Sequence, residues 1–344
     1  MNPAPALKGT AAAAAVLGLV VAPPILRAAD PVQLERCAAI GDDRLRLACY
    51  DAAVQGPAVT PPPPQLSAQP AQPAATPPAS QLDRLWAIGT RGSDSRFDLR
   101  PHKASYFLAA RYSTAPNVRP SSPAWEPPPA DLDVQSVEAK FQLSFKVKMA
   151  DIGGHGSAAL WAGYTQQSHW QMYNADASRP FRESDYEPEL MLALHPDLEA
   201  LGWRWRLLVV GLNHQSNGGS DPLSRSWNRA YAQFGIERGD FALLLRPWWR
   251  IPESSGDDDN PDITRYLGHG DVVGIYRLGG HSLSALARYN LDSGYGALQL
   301  GWHFPLARRV RGYLQFFSGY GESLIDYNVR QTTIGIGVSL ADHL

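Results

Sequence analysis

The chain has 344 residues and a formal net charge of −2, so no broad basic field points to nucleic acid as a partner. Ten Trp and fourteen Tyr make it rich in aromatics, and its length suffices for one large domain with appendages. No apolar run reaches the ~18 residues that suggest a membrane helix; a membrane β-barrel stays open, because barrel strands alternate in polarity and leave mean hydropathy low.

The first residues read as an export signal. Lys8 supplies a short positive region, Ala11 to Val21 is an apolar stretch too short to span as a helix, and Ala22, Ala28 and Ala29 offer small residues for cleavage. Residues 1–29 are therefore expected to be a signal peptide, against the plainer reading of a buried or frayed apolar terminus. Export implies an oxidising compartment, where Cys37 and Cys49, the only two cysteines, would bridge. Leu34, Cys37, Ile40, Leu45, Ala48 and Cys49 recur at helix-like spacing, so residues 30–55 are expected to form a small disulfide-closed helical module. Two reduced thiols are the alternative; a redox pair is disfavoured because the spacing is not C-x-x-C. Residues 56–81 hold nine prolines among Ala, Gln, Ser and Thr and read as a disordered linker.

From about Leu82 onward the pattern changes to alternating segments. The clearest is Val137–Met149. Val137, Ala139, Phe141, Leu143, Phe145, Val147 and Met149 share one face; Glu138, Lys140, Gln142, Ser144, Lys146 and Lys148 share the other. Such strict alternation is too long for an ordinary soluble strand and suits a tilted membrane strand with a polar lumen behind it. Eleven more segments follow the same logic: Tyr106–Thr114, Ala158–Trp170, Tyr186–Leu194, Arg204–Ser216, Ser226–Glu237, Phe241–Ile251, Arg265–Leu278, His281–Leu291, Tyr295–Pro305, Val310–Tyr320 and Thr332–Ala341. The expected fold of residues 82–344 is all-β, a twelve-stranded antiparallel transmembrane β-barrel, rather than a soluble all-β domain. Trp86, Trp125, Trp170, Trp203, Trp205, Trp248 and Trp249 fall near segment ends, where interfacial girdles sit.

The candidate chemistry lies on two neighbouring segments. Leu208, Val210 and Leu212 share parity with His214 and Ser216, and Ala230, Ala232 and Phe234 share parity with Asn228. A serine hydroxyl needs a base to take its proton, and an imidazole base needs a third group to hold its tautomer; asparagine can do this. An uncharged orienter also suits a site beside hydrocarbon. Against this stands the plain reading of three polar residues at a membrane–water boundary. Backbone N–H groups at Asn217 and Gly218 are candidate oxyanion donors. The loop from Asn217 to Ser226 is rich in oxygen donors, including Asp221, that suit a hard cation such as Ca²⁺, or merely a polar surface. Asp257–Asp262 is a second acidic loop without EF-hand spacing and reads on its own as solvated. Gln166 has the parity of Leu160, Ala162 and Tyr164; an amide among lipid-facing residues seeks either its copy in a second barrel or the headgroup layer.

At these residues the chain resembles the bacterial outer-membrane phospholipase A family. The resemblance covers roughly Leu82 to the C-terminus. It is carried by Tyr164-Thr165-Gln166, by Ser178-Arg179-Pro180-Phe181-Arg182-Glu183, and above all by His214-Gln215-Ser216-Asn217-Gly218 running on to Ser224-Arg225-Ser226-Trp227-Asn228-Arg229. Asp259-Asn260-Pro261-Asp262 and Ser318-Gly319-Tyr320-Gly321-Glu322-Ser323 add to it. The resemblance implies a dimeric, calcium-dependent enzyme that cleaves acyl esters of membrane phospholipids and lysophospholipids. It implies Ser216 as nucleophile, His214 as base and Asn228 as orienter. It implies calcium contacts from the Gly219 carbonyl and Ser224 of one subunit and Ser178 of the other, a second calcium position at Asp221 and Asp259, and Gln166 at the homodimer interface. Two features depart from the family: Gly219 stands where an arginine is expected, and the chain ends Asp342-His343-Leu344 without a terminal aromatic. A passive channel and a lipopolysaccharide-modifying esterase remain alternative readings of such a barrel.

Overall fold

The computed structural model describes residues 31–55, 80–87, 97, 99–153, 157–176, 181–307 and 310–341. The expected signal peptide, most of the proline-rich linker, Ser178 and the last three residues lie outside the described residues. The chain divides into two compact units, Met1–Thr76 and Pro77–Leu344.

In the first unit, α1 (Pro31–Ala38) and α2 (Asp43–Gln55) form a helical pair closed by a Cys37–Cys49 disulfide, with Cα atoms 5.5 Å apart. Asp42 accepts the backbone N–H groups of Arg44 and Leu45 and so caps the second helix.

The second unit begins with a helix that the alternation pattern did not reveal, α3 (Gln81–Trp86). Ser80 and Asp83 form a reciprocal capping box at its start. The strands follow: β1 (Leu99–Pro101), β2 (Ser105–Ser113), β3 (Val137–Ile152), β4 (Ala158–Trp170), β5 (Phe181–Leu194), β6 (Leu198–Ala200), β7 (Trp203–Ser216), β8 (Ser226–Arg238) and β9 (Phe241–Ile251). A short helix α4 (Ile263–Leu267) precedes β10 (Gly270–Leu278), β11 (His281–Tyr289), β12 (Gly296–Ala307), β13 (Val310–Tyr320) and β14 (Arg330–Ala341). Setting aside the three-residue ribbons β1 and β6, twelve strands pair antiparallel with their chain neighbours, β14 pairs β2, and the sheet has no free edge.

Ten of the twelve strands match the expected segments to within three residues at each end. Two depart more. β5 starts five residues before Tyr186, and the segment expected to begin at Arg265 is helical up to Leu267. There the Asn290 amide donates to the Thr264 and Arg265 carbonyls, the Gly268 N–H closes the last turn onto Thr264, and Gly268 takes a φ of +70° that ends the helix.

The alternation sorts as a membrane barrel requires. Val210, Leu212, Leu245, Leu300, Ile334 and Ile336 are exposed on the outer wall. Glu138, Lys140, Lys146 and Lys148 of β3 are buried on the inner face. The lumen is filled. At the end with short turns such as Gly279-Gly280, α3 inserts: Leu82 and Trp86 pack with Trp161, Met191 and Leu207, Leu82 N–H donates to Glu237, and Asp83 pairs with Arg206. At the other end the loop after β13 folds inward, burying Leu324 and Tyr327 against Trp227 and Trp248. Between them lies a charged layer. Glu138 accepts from Arg111 at 2.7 Å, Arg182 at 3.0 Å and His169 at 2.7 Å; Glu322 accepts from Lys140 at 3.0 Å and also from Arg111.

Two expectations about tryptophan side chains need correction. Trp86 and Trp248 lie inside the barrel and not in a girdle, whereas Trp249 is exposed on the outer wall. Trp125 belongs to a loop, where its ring N–H donates to Asp259. Lys146 has no hydrogen-bond acceptor among the described residues; its ammonium instead sits 3.5 Å from the centroid of the Trp86 ring. An inner layer plugged in this way is incompatible with a wide pore.

Because Glu322 is the shared acceptor of two buried cations, Glu322→Ala would leave Arg111 and Lys140 short of a counter-charge. Breaking a buried pair typically costs about 3–5 kcal/mol. A lower urea midpoint of the vesicle-inserted barrel is the expected outcome, and an unchanged midpoint would show that the charged layer does not support the fold.

Candidate active site

The site is built at the outer-wall ends of β7 and β8. A bulge between Trp205 and Leu207 resets the pleat of β7, and from there to the strand end the even-numbered residues face outward. His214 is exposed and Ser216 half-buried, while Val209, Gly211 and Asn213 face the lumen. The inner side is held by the Tyr231 ring, which lies over Gly211 so closely that a Cβ there would meet it at 2.5 Å.

Register then supplies the third member. His214 lies directly opposite Asn228, and the two side chains meet: His214 Nδ1 and Asn228 Oδ1 are 2.8 Å apart. Since a carbonyl oxygen only accepts, Nδ1 carries the proton and Nε2 is left with its lone pair. Ser216 stands one pleat further on the same face, with Cβ atoms about 7 Å apart by strand geometry. No hydrogen bond joins Ser216 to His214 among the described residues.

The loop between the strands is ordered by one side chain. Asn217 is buried; its Oδ1 accepts from the backbone N–H of Gly219 at 3.1 Å and of Arg225 at 2.9 Å, and its Nδ2 donates to the Leu223 carbonyl at 2.8 Å. Its own backbone N–H donates to the Arg225 carbonyl at 3.0 Å. Of the two expected oxyanion donors, Asn217 is therefore already engaged. Gly218 N–H has no acceptor among the described residues. Gly218 takes a φ of +61° and packs on Tyr186, where a Cβ would come within 3.3 Å of the ring.

The loop before α4 reaches over the same strand end. Ser224 Oγ donates to Asp259 at 2.6 Å, the Ser226 N–H donates to Asn260 at 3.0 Å, and the Asn228 amide donates to Glu253 at 2.6 Å. Arg250 holds this loop by donating to the Pro261 carbonyl and to Asp258. Burial pushes the Glu253 carboxyl up, against the Asn228 hydrogen bond and the Arg250 charge, which pull it down. Asp221 is exposed and Asp259 half-buried. Among the described residues no group of three or more His, Cys, Asp or Glu side chains is arranged to hold a metal ion, so a cation here would rest on mixed oxygen donors. Ser224 fits such a role: its proton is committed to Asp259, which leaves its lone pairs free.

Gln166 sits on the outer wall in the same cross-strand row as Ser216, with Tyr186 between them. Two strand spacings put them about 10 Å apart. The Gln166 amide donates to Ser168 at 3.2 Å and accepts from Tyr164 at 3.4 Å, so its polar atoms are partly satisfied within the subunit.

Two residues of this site escaped the reading of the sequence. Glu253 lies two residues past Ile251, the residue directly opposite Asn228, and only the β8–β9 register reveals this. The other is the side chain of Asn217, whose loop-ordering contacts with Gly219, Leu223 and Arg225 depend on how the loop folds and not on any pattern of residues.

Comparison with known proteins places the barrel in a family. A family model described as phospholipase A1 matches residues 82–340. Phospholipase A1 of Escherichia coli K12 is 42% identical over 250 residues, which is 72% of this chain and 83% of that protein. A putative phospholipase A1 of Neisseria meningitidis serogroup B is 44% identical over 251 residues, covering 71% of this chain and 65% of that protein. Among solved structures, outer membrane phospholipase A from Escherichia coli superposes with a TM-score of 0.64 at 39% identity, covering 72% of this chain and 95% of that one. The Salmonella typhi outer membrane phospholipase dimer with bound calcium gives 0.65 at 38% identity, covering 74% and 96%. With a family model that spans nearly the whole barrel and relatives this similar, the chain belongs to the phospholipase A1 family of bacterial outer-membrane β-barrels.

Proposed function

We propose that this chain is a phospholipid-hydrolysing serine esterase of the bacterial outer membrane, calcium-dependent and active as a homodimer, with Ser216, His214 and Asn228 as its catalytic groups. The observation that carries the proposal is the 2.8 Å contact of His214 Nδ1 with Asn228 Oδ1 on the lipid-facing wall. A polar pair aimed at hydrocarbon is expensive unless it has work to do.

The chemistry follows from the protonation state that this contact dictates. Ser216 Oγ attacks the acyl carbonyl of a glycerophospholipid as its proton passes to His214 Nε2. Asn228 keeps the ring oriented while it is an imidazolium. The oxyanion is held by the free Gly218 N–H. His214 then protonates the departing glycerol oxygen, and the lysophospholipid leaves an acyl group on Ser216. Water, deprotonated by the same imidazole, cleaves that ester and restores the serine.

Ser224 and the Gly219 carbonyl, with Ser178 of a second subunit, would hold a calcium ion; Asp221 and Asp259 would supply a second position. Bound there, calcium adds positive charge at the developing oxyanion. The loss of an arginine side chain at 219 leaves a backbone carbonyl ligand intact. A phospholipase dimer with bound calcium in the same family supports this reading. Gln166, in the row of Ser216, would place the dimer interface beside the nucleophile, so that acyl chains lie in a groove between two barrels.

Ser216→Ala is expected to lower hydrolysis of phosphatidylcholine vesicles by roughly 10³-fold or more while the barrel keeps its compact, heat-modifiable band on unboiled gels. Retained turnover would remove Ser216 from the mechanism. Chelation of calcium with EGTA should suppress turnover reversibly, and Asp259→Ala should raise the calcium concentration needed for half-activity; a rate indifferent to both would remove the metal. Amine-reactive or engineered-cysteine cross-linking in detergent should trap dimers whose yield rises with calcium and substrate analogue. Full activity of a protein that stays monomeric would contradict dimer activation.

A further inference from the structure

An asparagine orienter has a weakness that an aspartate lacks. Its amide is nearly symmetric in shape, so either end can face the imidazole. With the oxygen toward His214, Nδ1 holds the proton and Nε2 is free to act as the base. With the nitrogen toward His214, Nδ1 must accept, Nε2 carries the proton, and the ring cannot take the proton of Ser216. Something has to choose between the two.

Glu253 is placed to choose. Its Oε1 lies 2.6 Å from Asn228 Nδ2, on the side of the amide away from His214 Nδ1. An ionised carboxylate only accepts, so it can bind only the NH₂ end of the amide, and a charge-assisted bond of this length is among the stronger ones. Its other oxygen, Oε2, is buried with no hydrogen-bond partner; the Arg250 guanidinium lies 3.7 Å away. The one ion pair of this carboxylate among the described residues, to Arg250, uses Oε2 and leaves Oε1 to Asn228. Glu253 also belongs to the loop that holds alternate residues leading into and along β8: Asp259 accepts from Ser224, Asn260 from Ser226 and Glu253 from Asn228.

We infer that Glu253 is a positioning residue of the catalytic centre: by accepting from Asn228 Nδ2 it locks the amide with its oxygen toward His214 and thereby sets the imidazole tautomer that activates Ser216. The inference rests on the catalytic reading of Ser216, His214 and Asn228. It extends the relay by one group, contributed by the loop after β9, and makes the orienting unit an amide backed by a carboxylate.

The test compares Glu253→Ala, Glu253→Gln, Asn228→Ala and the double variant Asn228→Ala/Glu253→Ala in the full-length barrel, with Ser216→Ala alongside, on phosphatidylcholine vesicles at saturating calcium. Positioning by an outer partner is commonly worth roughly 10- to 100-fold. Glu253→Ala should lower kcat by about that factor with KM within about twofold. Glu253→Gln keeps an acceptor oxygen at the same place and should recover part of the loss. The double variant should be no slower than Asn228→Ala alone, because a group that acts only through Asn228 has nothing left to position. Wild-type kcat in Glu253→Ala, a loss confined to KM, a Gln variant no better than Ala, or losses that multiply in the double variant would each overturn the inference. If Glu253→Ala gives no heat-modifiable band, the same cycle is run with Glu253→Gln. An active Ser216→Ala would instead defeat the catalytic reading itself, so the two failures are distinguishable.

Discussion

The structure depends on one constraint. A chain in hydrocarbon must satisfy its backbone N–H and C=O groups within itself, and a sheet can do so only by closing. Pairing of β4 with β3, together with that of β14 with β2, removes the last free edge. Closure then divides every strand into a lipid face and a lumen face with a period of two. On β3 that division buries Glu138, Lys140, Lys146 and Lys148 and turns Leu143 outward. The charged layer is a consequence: charges that cannot face lipid must face one another, as Glu138 and Glu322 do with Arg111, Arg182 and Lys140.

The same division explains the location of the proposed catalytic groups. Polar side chains that face outward stand against the pattern of their own strand, and His214, Ser216 and Asn228 do so at the strand ends, next to the loop of oxygen donors. The rigid, filled barrel behind them supplies a fixed platform. Tyr231 over Gly211, and Arg229 stacked 4.1 Å from the Trp227 ring, keep the inner side of the two strands occupied while the outer side stays free for substrate. Precision at the site then comes from loops pinned to that platform. Asn217 folds the loop between β7 and β8 around its own amide, and the loop after β9 reaches back to Ser224, Ser226 and Asn228. An esterase whose nucleophile faces a bilayer is dangerous to its own membrane. The proposed sharing of calcium ligands between two subunits would keep a lone barrel idle, which is the regulatory sense of the proposed dimer.

Alternation made most of the barrel legible, because a two-residue period is written directly in the order of residues. It failed where hydrogen bonds from elsewhere in the fold override the pattern. Residues 265–267 read as the start of a strand, yet they belong to a helical turn that Asn290, distant in the chain, accommodates. Trp86 and Trp248 read as girdle residues, since position near a strand end says nothing about the face once a short helix or a loop intervenes. The fate of Lys146 was similarly hidden: its neighbour, the Trp86 ring, comes from a helix that precedes the barrel.

By itself the sequence determined the strand count, the inner and outer faces, and that His214, Ser216 and Asn228 share the lipid side, because each of these follows from parity within one strand. Only the tertiary structure decided that His214 faces Asn228 across the β7–β8 register, that the Asn217 N–H is already engaged, and that Glu253 accepts from the Asn228 amide. Those facts depend on which residue of one strand lies opposite which residue of the next, and on where a loop returns after its strand has ended. Neither is encoded in any local period of the chain.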